Sequence, residues 1–279
     1  LQGIMSLLLI TLKVYRLIKE EKPEFSICFG GYTSIPLGLA SFLAKVPLYI
    51  HEQNSIPSYS NRILSFFAKK IFITFETAAK YFNSKKTFLT GMPLRKSVVE
   101  KAQTYTYIPN QTKTILVVGG SQGSKKLSQL TISLASKMKG INFILIKGKW
   151  QVAIPDYENL KVYDYVDNIE DLYMKSDLVV SRSGSSSVNE ILCFGKYAIF
   201  IPFPYAASNH QYYNVKWLKD LELCDLIEEK DLEETVLKKA IENSFSKDLQ
   251  QLSKKIKEKA TFDSDKKIIE NILNDFKED

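Results

Sequence analysis

A succession of short, uniformly apolar runs, separated by stretches of helical pattern, constrains this chain more than any other feature. The runs read FSICFG, PLYIHE, KIFITF and KTFLTG, then TILVVGG, NFILIKG, LKVYDYV, DLVVSR, YAIFIPF and finally DLIEE. A strand covered on one face alternates apolar with polar residues, whereas strands of a parallel sheet are covered on both faces and are apolar throughout. Helical pattern falls between the runs, near 34–45, 59–69, 124–139, 187–194, 209–221 and 231–243. Such alternation belongs to right-handed βαβ units and predicts an α/β fold. A break near Met92-Pro93 and the polar stretch TYTYIPNQTK at 104–113 divide the runs into two sets, so two parallel sheets are expected. A charged helix, KDLQQLSKKIKEKA, then leads to Phe262 and a last amphipathic helix running to Asp279. With 279 residues and 45% hydrophobic content, the chain suits one large or two medium-sized α/β domains with real cores.

Composition removes several function classes. Cys28, Cys193 and Cys224 lie scattered in apolar runs without CxxC spacing, so buried thiols are expected rather than disulfides or a zinc site. The formal charge of +7, from 38 Lys+Arg against 31 Asp+Glu, does not imply nucleic acid. The same excess would favour an anionic bilayer surface, by about 1 kcal/mol per well-placed basic residue. The apolar segment IMSLLLITL at 4–12 is too short to span a bilayer, which takes about 20 residues. It also lacks the flanks of a signal peptide. The spacing of Ile4, Leu8, Leu12, Tyr15 and Ile18 reads as a helix, packed on a sheet or offering an apolar patch to a membrane.

Small-residue turns follow several of the strand runs, at 30–34, 119–124, 183–187 and, more weakly, around Gly148. In open α/β sheets ligands bind at the carboxyl ends of the strands, so these turns mark a site. In GGSQG, Gly119 and Gly120 let the backbone approach a phosphate, Ser121 offers a hydroxyl, and the N–H groups around Gln122 and Gly123 open a helix. Neither the GxxxxGK[ST] nor the GxGxxG spacing is present, which disfavours an NTPase or a dehydrogenase. Within SRSGSSSVNEILCFG, Ser183–Ser187 open a second helix at a strand end, where free N–H groups would face a pyrophosphate. Glu190 lies one turn inside that helix, where its carboxylate can accept both hydroxyls of a ribose.

These segments resemble the MurG family of peptidoglycan N-acetylglucosaminyltransferases, glycosyltransferase family 28. The resemblance rests on FGGYTSIPLGLA at 29–40, IHEQNSIPSYSNR at 50–62, TGMPLR at 90–95, VVGGSQGSKKLSQ at 117–129 and the stretch 181–214, in the family's order. It implies a GT-B fold of two Rossmann-like domains with parallel sheets. The acceptor- and membrane-side domain is expected at 1–94 and 262–279, and the UDP-GlcNAc-binding domain at 95–261. The family opens with a strand and a GGTGGH-type loop that do not match anything here, so the first domain is expected to be N-terminally incomplete.

The implied reaction is inverting transfer of GlcNAc from UDP-GlcNAc to lipid I, forming lipid II. It would take place peripherally on the anionic cytoplasmic face of the plasma membrane. Two alternatives are a UDP-sugar-binding half that is inactive alone and a transferase for another lipid acceptor. By resemblance, the donor would be held by Arg95, Ser121, Gln122, Ser185, Ser186, Ser187, Glu190, His210 and Gln211, and the acceptor by Gly30, Gly31, Tyr32 and Asn54. His210 stands where the family has the first of two glutamines, and Gln211 and Asn214 share a helical face. Val166 would present backbone N–H and C=O to uracil while Ile169 packs on the ring, in a segment that also reads as a plain turn capped by Asp167 or Asn168. His51 and Glu52 are candidates to assist the acceptor hydroxyl, or members of a structural hydrogen-bond network. No cofactor and no metal site are expected, since a DxD motif of the kind that binds Mn²⁺ or Mg²⁺ in other glycosyltransferases is missing and helix N-termini can stabilise the leaving diphosphate. Asp164 and Asp167 would be the first ligand candidates otherwise.

Overall fold

The computed structural model describes residues 2–120 and 122–277. They form two compact units, one of the residues up to Pro93 together with those from Asp263 onward, the other of Leu94–Phe262.

The first unit contains α1 (Gln2–Glu21), β1 (Ser26–Cys28), α2 (Ser34–Ala44), β2 (Leu48–Glu52), α3 (Tyr59–Leu64), β3 (Lys70–Ile73), β4 (Thr87–Leu89) and the C-terminal helix Ser264–Asn274. Its strands run parallel in the order β1-β2-β3-β4. Side chains alternate across the sheet, so one face buries Cys28, Leu48, Ile50, Ile71 and Ile73 with Leu64 of α3 and Leu37 of α2. The other face pairs Tyr49 and Phe72 with Ile268 and Ile272 of the C-terminal helix. Fully burying such an isoleucine is worth about 1.5–3 kcal/mol. Polar anchors join that contact. Asp275 accepts from the Tyr49 hydroxyl at 2.8 Å and pairs with Lys70 at 2.8 Å.

With both faces covered, α1 packs against α2 instead of a sheet. Among its described side chains Thr11 and Ile18 are buried, while Leu8 and Leu12 of the expected stripe are 58% and 53% exposed. The correction has a simple cause. The first half of the helix is apolar nearly all round, so spacing alone does not choose its buried face.

The second unit contains α4 (Lys96–Thr104), β5 (Thr114–Val118), α5 (Lys125–Lys137), β6 (Asn142–Ile146), β7 (Leu160–Tyr163), α6 (Ile169–Lys175), β8 (Leu178–Ser181), α7 (Ser185–Cys193), β9 (Tyr197–Phe200), α8 (His210–Asp220), β10 (Asp225–Leu226), α9 (Glu234–Phe245) and α10 (Leu249–Lys257). All strands are parallel, in the order β10-β9-β8-β5-β6-β7. Two parallel, doubly covered sheets are the α/β architecture that the apolar runs predict. The short helix α4 is an element the sequence reading lacks. It buries only Val98 and Ala102, one turn apart, too little periodicity to register. All three cysteines are free and buried, and burial pushes the Cys28 thiol up to about 11 and those of Cys193 and Cys224 up to about 12.

Candidate functional site

In the second unit the carboxyl ends of all strands lie along one edge. The chain leaves β5 toward β6 and β7 on one side, and β8 returns on the other, with Val118 and Ser181 in register. The turns after β5 and β8 therefore flank a topological switch point, where parallel sheets of this kind bind ligands.

The turn after β5 is closed by glycine. Gly123 has φ +72° and Gly148, in the turn after β6, has φ +69°. A Cβ on Gly123 would lie 2.2 Å from the Lys147 carbonyl oxygen, and one on Gly148 2.8 Å from the Gly123 Cα. The two turns interlock backbone to backbone. Ser124 caps α5, its Oγ accepting from the Leu127 N–H at 3.3 Å. Gln122 is exposed beside it, and Ser121 lies outside the described residues.

Arg182 ties this turn to its neighbours. Buried at the end of β8, it donates from Nη2 to Ser124 Oγ at 2.9 Å and from Nη1 to the carbonyls of Ile201 and Pro202 at 3.1 and 3.2 Å. It also pairs with Glu229. Sequence reasoning missed it, although a charge closing the apolar run DLVVSR has to find partners inside.

After β8, Gly184 precedes α7, whose first turn holds Ser185, Ser186 and Ser187, the first buried and the second exposed. Asn214 of α8 donates to the Ser183 carbonyl at 3.1 Å and so fixes α8 against this turn. At the start of α8, Ser208 and Asn209 are both left-handed, at φ 52° and 53°. His210 does not extend from that turn; its Nδ1 lies 2.9 Å from the Ala207 carbonyl. Gln211 is fixed in orientation, because its Oε1 accepts from the Phe203 N–H at 2.9 Å and its amide NH₂ is left to donate.

Glu190 is the convergence point of the remaining candidates. Its Oε2 accepts from the Tyr173 hydroxyl at 3.2 Å, and its Oε1 lies 3.9 Å from Arg95 Nη2. The same Nη2 is 3.6 Å from Glu170 Oε2, while Nη1 donates to the Asp167 carbonyl at 2.7 Å. Arg95 thus joins the Glu190 carboxylate to the β7–α6 segment that carries Val166 and Ile169, both half-buried. Its guanidinium lies near two carboxylates, those of Glu170 and Glu190. Asn168 is the N-cap of α6, without a side-chain capping bond. Burial raises the Glu190 pKa above the usual glutamate value, against the opposing pull of Arg95 and Tyr173, and nearby Glu170 raises it further.

In the first unit, the strand β2 ends on His51 and Glu52, and both side chains are buried. Glu52 Oε1 accepts from the Asn54 N–H at 2.9 Å, and Oε2 from the Ser58 N–H at 3.1 Å and Asn61 Nδ2 at 2.8 Å. His51 Nε2 lies 3.0 Å from the Gly91 carbonyl, which can only accept, so the proton sits on Nε2 and Nδ1 is a buried lone pair without a partner. Burial lowers the His51 pKa and keeps the ring neutral. Glu52 thereby braces the loop that carries Asn54, as the structural-network alternative for this pair describes. The same bracing reaches the GGY turn. Gly30, at φ +85°, leaves room for Asn61 Nδ2 and Ser58 Oγ, each 3.2 Å from where a Cβ would be. Gly31 and Tyr32 stand exposed beyond it, the tyrosine at 85%. Among the described residues, no three His, Cys, Asp or Glu side chains converge in a way that could hold a metal ion.

Comparison with known proteins agrees with this layout. The family model of the glycosyltransferase family 28 C-terminal domain matches residues 114–272, and that of the N-terminal domain matches residues 1–73. A UDP-N-acetylglucosamine--N-acetylmuramyl-(pentapeptide) pyrophosphoryl-undecaprenol N-acetylglucosamine transferase of Sulfurihydrogenibium sp. is 77% identical over 279 residues, all of this chain and 80% of that protein. Among solved structures, Acinetobacter baumannii MurG superposes with a TM-score of 0.78 at 26% identity, over 97% of this chain and 80% of the other. A putative UDP-N-acetylglucosamine 2-epimerase of Listeria monocytogenes superposes with a TM-score of 0.71 at 13% identity, over 98% and 80%. That last likeness is one of fold alone.

Proposed function

Because the chain belongs to glycosyltransferase family 28, we propose that it transfers N-acetylglucosamine from UDP-N-acetylglucosamine to the undecaprenyl-diphospho-N-acetylmuramoyl-pentapeptide acceptor, lipid I, giving lipid II. The observation that carries the reading is the meeting, at one switch point, of two small-residue turns able to wrap a diphosphate and a carboxylate placed for ribose. In this reading the Gly119–Ser124 and Ser183–Ser187 turns and the N-terminus of α7 take the diphosphate. Glu190 accepts the ribose hydroxyls, the Val166 backbone reads uracil, and Gln211 donates to the hexose. The acceptor hydroxyl attacks the anomeric carbon opposite the diphosphate and gives up its proton to water, the bond from that carbon to the diphosphate oxygen breaks to release UDP, and the configuration inverts. Backbone N–H groups fixed before the reaction stabilise the charge that develops on the leaving oxygen.

The acceptor would meet the first unit, at the Glu52-braced loop that carries Asn54 and at Gly31 and Tyr32 of the GGY turn. A peripheral membrane position fits that role. Among the described residues no helix is long and apolar enough to cross a membrane. However, α1 exposes Met5, Leu8, Leu9, Ile10 and Leu12, and Lys13, Arg16 and Lys19 are exposed on the same helix.

The test is incubation of the chain with sugar-labelled UDP-GlcNAc and a lipid I analogue, followed by product analysis. Label in the lipid fraction, abolished in Glu190→Ala, is expected. Labelled UDP-N-acetylmannosamine with no label in lipid would overturn the transferase reading in favour of epimerisation.

A further inference from the structure

Tyr173, on α6, is completely buried. Its ring stacks on Phe194 with centroids 5.4 Å apart and an interplanar angle of 29°, and Phe194 is packed in turn by Tyr105 at 5.7 Å. A phenylalanine would satisfy those contacts equally well. What the tyrosine adds is a hydroxyl, and a hydroxyl at full burial is destabilising unless it finds a partner. The partner here is Glu190 Oε2, at 3.2 Å.

We propose that Tyr173 is a positioning residue for nucleotide recognition, its hydroxyl fixing from the core the orientation in which the Glu190 carboxylate meets the ribose. The inference rests on the reading of Glu190 as the ribose acceptor. A free glutamate on a helix surface samples many rotamers and has to surrender that freedom when it binds. Glu190 is held from two sides. Arg95 approaches Oε1 at 3.9 Å from a side chain that is half exposed, whereas the phenol approaches Oε2 from a ring locked by its neighbours. A carboxylate offers about four lone-pair sites, so one bond to the phenol leaves acceptors for two vicinal hydroxyls. The phenol remains a donor, since burial and the Glu190 charge push its pKa far above the tyrosine value.

The test measures binding of UDP and of 2′,3′-dideoxy-UDP, which has no ribose hydroxyls to offer, to the chain and to Tyr173→Phe and Glu190→Ala. For Tyr173→Phe, UDP is expected to bind about tenfold more weakly, as for loss of a hydrogen bond to a charged group. Its affinity for the dideoxy compound is expected to equal that of the parent chain. A fall of the same size for both ligands would mark a general packing defect and overturn the proposal, as would unchanged UDP affinity. Glu190→Ala separates the two ideas. If it also loses the preference for UDP over the dideoxy compound while Tyr173→Phe retains it, the positioning role alone fails. If Glu190→Ala retains the preference, the ribose reading fails and the proposal goes with it.

Discussion

In its proposed ribose role, Glu190 meets opposite demands from binding and folding on its protonation state. Burial raises its pKa, Arg95 and Tyr173 pull it back, and Glu170 raises it again, leaving it above the value of a free glutamate. A carboxyl whose folded pKa is raised costs stability when ionised, so this group's contribution to stability falls as pH rises from the free-glutamate value through the folded one. Ribose binding needs the anion, so donor affinity should run the other way. Affinity for UDP-GlcNAc, which has no terminal phosphate to titrate near neutrality, is expected to fall on acidification at a pH above the ordinary glutamate range. Glu190→Gln should bind more weakly at neutral pH, by about 1–3 kcal/mol, and lose that pH dependence; calorimetric titration from pH 7.5 down to 5 checks both. Identical pH profiles for the two proteins would show that Glu190 is not the titrating group.

The elements that matter most for the site are its turns, and their fixed points are backbone contacts. Gly123 leaves its α-carbon against the Gly148 turn and the Lys147 carbonyl. Gly123→Ala must therefore open the interlock, besides adopting a left-handed conformation. It is expected to cost at least about 2 kcal/mol in stability and to abolish detectable UDP binding. Gly140→Ala is the control, because a Cβ there meets nothing within 4 Å; it should leave both properties nearly unchanged. Urea unfolding and calorimetry of the pair give the answer, and a Gly123→Ala protein that binds UDP normally would remove this turn from the phosphate site. Helix α7 offers a similar lesson. It is short, and its orientation comes from packing and from bonds such as that of Asn214 to the Ser183 carbonyl, while propensity contributes little.

For the molecule as a whole, the formal charge of +7 and the exposed apolar residues of α1 bear on the same property. Attraction to anionic headgroups brings a basic protein to a bilayer and is screened by salt, whereas apolar insertion is not. Sedimentation with vesicles is expected to show binding to phosphatidylglycerol-rich membranes, little binding to phosphatidylcholine, and partial release in high salt. Leu8→Glu with Leu12→Glu, at sites 58% and 53% exposed, should reduce the salt-resistant part with little change in thermal stability. Binding that is indifferent to lipid charge, to salt and to these substitutions would exclude α1 as a docking face.

The sequence by itself determined the order of the strands, most of the helices between them, the two sheets and the turns of the candidate site, because each is written in contiguous residues. Doubly covered strands need unbroken apolar runs, and backbone turns near a phosphate need glycine or serine. Family membership was legible for the same reason, in motifs such as GGSQG and HEQN. What the tertiary structure alone decided is how the polar side chains are spent. The engagement of Arg95 with Glu190 and Glu170, the inward closure of Glu52 on Asn54, Ser58 and Asn61, and the bracing of the turn after β5 by Arg182 depend on loops brought together by packing. The same holds for Tyr173, whose hydroxyl looks unremarkable in NIEDLYMKSD until the core fixes its ring against Phe194. Periodicity records which residues an element could bury, whereas the partner of a buried polar atom is set by neighbours distant in sequence.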